Sequence, residues 1–199
     1  MKTQSTDSRV RLLAIIPMGI AINLAIGLTV SALKLPIFLD SIGTVLFTIL
    51  CGWRVGATVG VLSFLVGGIA NPLLPYFVFT QFTIAWVAGL SASRGGFKSV
   101  PRVILTGIII GYAAALVSAP VIAAVFGGVT NSGESLVTAF LIKTGDNIWQ
   151  AVVTTKVWTE PLDKTLQCLA AFFIAKSLPK TLLGRLETSK SLIRQNGLL

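Results

Sequence analysis

The chain has 199 residues, 54% of them hydrophobic and only 12% charged, with a net charge of +9 and no histidine. Soluble domains carry about 25% charged residues, so this chain cannot cover its own surface with polar groups, and lipid must be the solvent for much of it. The missing histidine excludes Ser-His triads, HExxH zinc sites and histidine-based acid–base chemistry.

Residues 12–33 form the first predicted span, long enough for the roughly 20 residues that cross a hydrocarbon core, with Pro17 as a kink point. Its length, and the lack of a small-residue cleavage site after it, argue against a secretory signal. Asn23 lies at membrane depth and is expected to face protein rather than lipid. The stretch LKLPIFLDSIG follows, with Lys34, Pro36 and Asp40 between two apolar runs. Pro36 ends the first helix, and Asp40 and Ser41 are placed to cap the next through their side-chain oxygens. Residues 37–51 are a shorter second span, and Gly52-Trp53-Arg54 is the turn into a third, residues 55–70. Asn71-Pro72-Leu73-Leu74-Pro75 breaks that helix. Residues 76–92 make a fourth span, and the basic turn SRGGFKSVPR leads to a fifth, residues 103–126. The fifth carries a small residue at every fourth position, from Gly107, Gly111 and Ala115 to Ala119, Ala123 and Gly127, a smooth face for close helix packing. Residues 127–160 read as a long outer loop, and residues 161–178 as a sixth span with Pro161 in its first turn. The expected fold is an all-α integral membrane protein, one domain over residues 1–199, built as a compact bundle of six transmembrane helices.

Placing both termini in the cytoplasm puts twelve of the 16 Lys and Arg residues inside: Lys2, Arg9, Arg11, Arg54, Arg94, Lys98, Arg102, Lys176, Lys180, Arg185, Lys190 and Arg194. Lys34, Lys143, Lys156 and Lys164 remain outside. The basic charge is therefore a topology signal in a multi-pass cell-membrane protein, and nucleic acid is not an expected partner. Five acids fall on the outer side: Asp40, Glu134, Asp146, Glu160 and Asp163.

Polar and aromatic residues converge on that side, as a small-molecule pocket requires. The candidate substrate-binding residues are Asp40, Asn71, Tyr76, Gln81, Asp146, Asn147, Trp149, Gln150, Trp158, Asp163 and Gln167. Bland roles stand beside these. Tyr76 and Trp158 suit an interfacial aromatic belt, Asp163 suits a helix start, and Lys164 suits an interfacial anchor pointing away from Asp163. No catalytic constellation, cofactor motif or metal cluster is legible, and no P-loop GxxxxGK[ST] is present, so an enzyme is not expected. No acid or histidine sits at the middle of a predicted span, as ion-coupled carriers often show. A pocket without an energy source is that of a capture subunit needing a partner.

KLPIFLDSIGTVLFTILCGWRVGATVGVLS resembles the second and third helices of substrate-specific S components of energy-coupling factor (ECF) transporters. AINLA in the first helix, FTIAWVAGL in the fourth and EPLDKTLQCLAAFFIAKSLPK in the sixth are similar to the same family. The resemblance implies a six-helix membrane protein that takes a vitamin or related micronutrient from outside. It also implies a transmembrane coupling subunit and two cytoplasmic ATPases as partners. Ala21 and Ala25 match the family's AxxxA motif and are the implied docking residues for the coupling subunit. The alternative is a membrane sensory or interaction module that binds a small ligand without moving it.

Overall fold

The computed structural model describes residues 3–130 and 132–179, with side chains from residue 15 onward. Lys2, Lys180, Arg185, Lys190 and Arg194, counted above for orientation, lie outside the described residues, as do the side chains of Arg9 and Arg11.

Every described element is helical. In chain order these are α1 (Thr3–Ala32), α2 (Ile42–Cys51), α3 (Trp53–Gly67), a 3-10 turn (Leu74–Phe77), α4 (Val78–Ser93), α5 (Val100–Phe126), α6 (Glu134–Lys143) and α7 (Ile148–Ser177). Among the described residues, three stretches are long and apolar enough to cross a membrane: Ile15–Ala32, Leu74–Ser93 and Val100–Phe126. At 1.5 Å per residue, the 18 residues of the first reach about 27 Å. Large apolar side chains cover the outside of the bundle, among them Ile69, Phe79, Leu105 and Leu116. An exterior of this kind suits hydrocarbon rather than water.

Helix α2 is the axis of the bundle. Nine of its ten residues are buried, because α1, α3, α4 and α7 all pack against it. Its ten residues make it shorter than the predicted span of residues 37–51. Gly52, with φ 101°, ends α2 and starts α3 within one residue, a reversal that suits glycine. The expected start of α2 at residue 37 moves to Ile42. The cause lies outside the segment: Asp163 Oδ1 accepts the N–H groups of Phe38 and Leu39 at 2.9 and 3.0 Å. Those donors hold residues 37–41 out of the helix, with Leu39 at φ 50°. Asp40 and Ser41 do not cap α2 through their side chains; their oxygens serve other partners.

The small-residue stripe on α5 is buried against α7. A Cβ at Gly107 would fall on the backbone of Thr165, and one at Gly111 on that of Pro161. The two helices therefore meet backbone to backbone along the middle of each.

The largest departure from the sequence reading concerns residues 127–160. They hold α6 and the first half of α7. Pro161 does not begin a helix; it sits inside α7, a continuous helix of 30 residues. Proline removes one N–H, but residues before it keep helical bonds, and the neighbouring α5 fixes the segment from outside. Glu160 and Asp163 consequently lie at the middle of a long helix, where no acid was expected.

Candidate functional site: a cavity beside a buried charge ladder

One end of the bundle gathers the last turns of α1, the 33–41 loop, the α3–α4 connection, the end of α5 and the middle of α7. Between them lies a cavity of about 110 Å³. Its apolar wall comes from Leu24, Leu28, Phe64, Leu74, Phe77 and Ile122, its polar wall from Asp40, Thr80, Gln81, Lys156, Glu160 and Lys164.

The polar wall is built on α7. Lys156, Glu160 and Lys164 are spaced four apart and share one face. Lys156 Nζ stands 2.8 Å from both Glu134 Oε2 and Glu160 Oε1. Lys164 Nζ stands 2.5 Å from Asp163 Oδ2, 3.5 Å from Glu160 Oε2 and 3.7 Å from Asp40 Oδ1. Both lysines and three of the four acids are at least 96% buried, and only Asp40 is partly open. The Phe38 ring lies 4.7 Å from Lys156 Nζ and 5.7 Å from Lys164 Nζ, closing the top of the ladder with a π-face. Glu134 on α6 also accepts the Thr159 hydroxyl, which ties α6 to α7. Lys164 thus does not reach for the interface; it turns inward to the carboxylate beside it.

A second, neutral network runs through the core to the same place. Asn23 Oδ1 accepts the Gly43 N–H at 2.7 Å, and its amide donates to Thr44 and Ser63 at 2.9 and 3.1 Å. The Thr44 hydroxyl donates to Gln81 Oε1 at 3.0 Å, and Gln81 Nε2 donates to Ser41 Oγ at 2.7 Å. Ser41 donates in turn to Asp40 Oδ1 at 2.9 Å. Each donor in this chain is consumed by the next acceptor, and the series ends on a carboxylate at the cavity. Burial raises the Asp40 carboxyl above the usual carboxylate range, against the opposing pull of Lys164.

The candidate residues read from sequence divide into three groups. Asp40, Asn71 and Gln81 line the cavity. Asp163 and Gln167 are fully buried behind it and share one face, as their spacing implied. Their capacity is spent on the 33–41 loop: Gln167 Oε1 accepts the Ser41 N–H at 2.9 Å, and Gln167 Nε2 donates to Asp163 Oδ2 at 2.7 Å. The third group is elsewhere. Tyr76 is exposed and meets the Phe126 ring edge-on at 5.2 Å. Asn147 is the N-cap of α7, accepting the Gln150 N–H at 2.9 Å. Trp149, Gln150 and Trp158 are exposed, and Asp146 precedes the cap; none of the six residues in this group lines the cavity.

Sequence reasoning missed Lys156, Glu160, Lys164, Glu134, Thr80 and Ser118 as site residues. The signal for three of them was available. Lys, Glu and Lys at strict four-residue spacing mark one charged face of a helix, provided that the helix runs through Pro161. Ala21 and Ala25 lie on the opposite face of α1 from Asn23, and both are exposed. The chain matches no protein-family model, no curated protein and no solved structure, so the site is read from its own geometry.

Proposed function

We propose that the chain is the substrate-capture subunit of an ECF-type importer, taking a vitamin or related micronutrient from outside the cell. The observation that carries this reading is the cavity itself. It is a concave site with one apolar wall and one buried, charged wall, inside a helical bundle whose exterior is apolar. Burying charge at this depth is costly unless it is used, and ionisable groups within membrane bundles mark ligand or ion paths. In this reading the last turns of α1 and α5 and the 33–41 loop, which frame the cavity, face the outer side, and a ligand enters from there.

In this reading α1 presents Ala21 and Ala25 outward to a coupling subunit, and two cytoplasmic ATPases supply the energy that the chain itself has no motif to extract. Both termini are cytoplasmic and the chain is a multi-pass component of the cell membrane. The test is purification in mild detergent from the native host, with native mass spectrometry for a bound small molecule and for co-purifying subunits. A stoichiometric small molecule together with an ATPase pair is the expected result. Ala21→Trp with Ala25→Trp should abolish the association and leave the small molecule bound. A chain that carries no ligand and associates with no ATPase would overturn the proposal.

A further inference from the structure

The cavity's charge balance points to the kind of molecule it holds, an argument that rests on the capture reading above. The ladder contains four carboxylates, Asp40, Glu134, Glu160 and Asp163, and two ammonium groups, Lys156 and Lys164. At least one negative charge is left over in a nearly dry site, even with a proton on the raised Asp40 carboxyl. The lysines are also saturated: Lys156 is held by two carboxylates at 2.8 Å, and Lys164 is shared among three. An anion entering the cavity would find no free cation, and would face Glu160 and Asp40.

The hydrogen bonds give an independent count with the same sign. Asp163 has both oxygens bonded, one to two backbone N–H groups and the other to Lys164 and Gln167. Glu134 has both bonded as well. Glu160 does not. Its Oε1 receives Lys156 and Ser118, while its buried Oε2 makes no hydrogen bond and has only Lys164 Nζ near it, at 3.5 Å. Thr80 Oγ1, on a cavity-lining residue that is 93% buried, is likewise unpartnered. Buried polar atoms are nearly always bonded; the Glu160 oxygen can only accept and so has room for a donor from outside the chain, while the Thr80 hydroxyl on the same cavity can take a partner of either kind. The facing wall is aliphatic and aromatic. The cavity's roughly 110 Å³ is below the about 150 Å³ of a closed cavity that admits benzene, but this site is open at one end, so a single ring can lie in it with part of the molecule at the mouth.

We infer that the cavity binds a small organic cation, about one ring in size, whose N–H groups donate to Glu160 Oε2 and Thr80 Oγ1 while its apolar body lies against Leu24, Phe64 and Phe77.

The test uses the full chain in lipid nanodiscs and three probes of one shape: benzamidine as its cation, benzamide and benzoate. Binding is read by thermal shift and by calorimetry. Benzamidinium is expected to bind about tenfold tighter than benzamide, with benzoate weakest. Thr80→Val, which keeps the side-chain shape, should weaken benzamidinium about three- to tenfold and leave the unliganded melting temperature unchanged. Glu160→Gln should bring benzamidinium and benzamide level; should that variant fail to fold, Thr80→Val and the wild-type series still decide. A cationic molecule found bound to protein from the native host supports the inference whatever the probes do. A neutral or anionic bound molecule, benzoate binding as well as benzamidinium, or indifference to Thr80→Val would overturn the ligand class and leave the capture reading standing. No bound molecule and no response to any probe would overturn both.

Discussion

Two parts of α7 carry polar residues, and the structure treats them in opposite ways. The first turn presents Asn147, Trp149 and Gln150 to the outside. The middle, from Lys156 to Gln167, buries five charged or amide groups: two ammonium groups, two carboxylates and an amide. A loop-like composition at the helix start resembles a binding surface, yet Asn147 is spent as a cap and Trp149 and Gln150 are exposed. Charges in the middle have no solvent to satisfy them, so they must find one another or a ligand. Depth of burial, rather than density of polar residues, separates the candidate site from its surroundings.

That contrast can be broken most forcefully at Lys156. Lys156→Met would leave Glu134 and Glu160 buried without the cation between them. Removing one partner of a buried ion pair costs about 3–5 kcal/mol, so a large fall in melting temperature or in folded yield is expected. A melting temperature within a degree or two of the parent would show that the ladder is not the structural centre described here.

Gly111→Leu should come next. The new side chain falls on the Pro161 backbone, and overpacking of this kind costs about 1–3 kcal/mol. The same substitution at Gly127, where a Cβ meets nothing within 4 Å, is a weaker control, because its φ of 61° disfavours a side chain for a different reason. Ala113→Leu, on a half-buried position of α5 beside the stripe, is the cleaner comparison and should cost less.

Asp163→Asn keeps one acceptor for the Phe38 and Leu39 N–H groups and loses the charge that holds Lys164. A hydrogen bond to a charged group contributes about 1.5–3 kcal/mol, and a loss of that order is expected, together with faster proteolysis within residues 33–41. Unchanged proteolysis would remove Asp163 as the clamp of that loop.

The smallest effect is expected at the first turn of α7. Trp149→Ala should alter stability by no more than about 0.5 kcal/mol and leave ligand binding intact, because its side chain is exposed and remote from the cavity lining. Lost binding in this variant would move the site from the middle of α7 to its start and reverse the comparison.

Much of the fold was legible because it depends on local pattern. Apolar runs marked the first, fourth and fifth helices, and Asn71 to Pro75 marked the break before α4. The stripe from Gly107 to Ala123 announced a close helix contact. Asn23 could be assigned to the interior from its polarity alone, and Asp163 and Gln167 to one face from their spacing. The boundaries that went astray share a cause. Pro161 is a good first-turn residue and a poor interior one, so local preference placed a helix start where α5 packing holds a continuous helix. Residues 37–41 have an apolar pattern suited to a helix, but their backbone donors are drawn off by Asp163 and Gln167, more than 120 residues along the chain.

The sequence by itself determined that the chain is apolar enough to suit apolar surroundings and that its framework is helical. Those properties follow from composition and from periodicity within single segments. The tertiary structure alone decided that Lys156, Glu160, Lys164, Glu134 and Asp40 form one ladder, and that Asp40, Asn71 and Gln81 share a cavity with it. The packing of α6 on α7, and the hydrogen bonds from the 33–41 loop to α4 and α7, join residues far apart in the chain, and no local preference encodes which charges will be forced together once water is excluded.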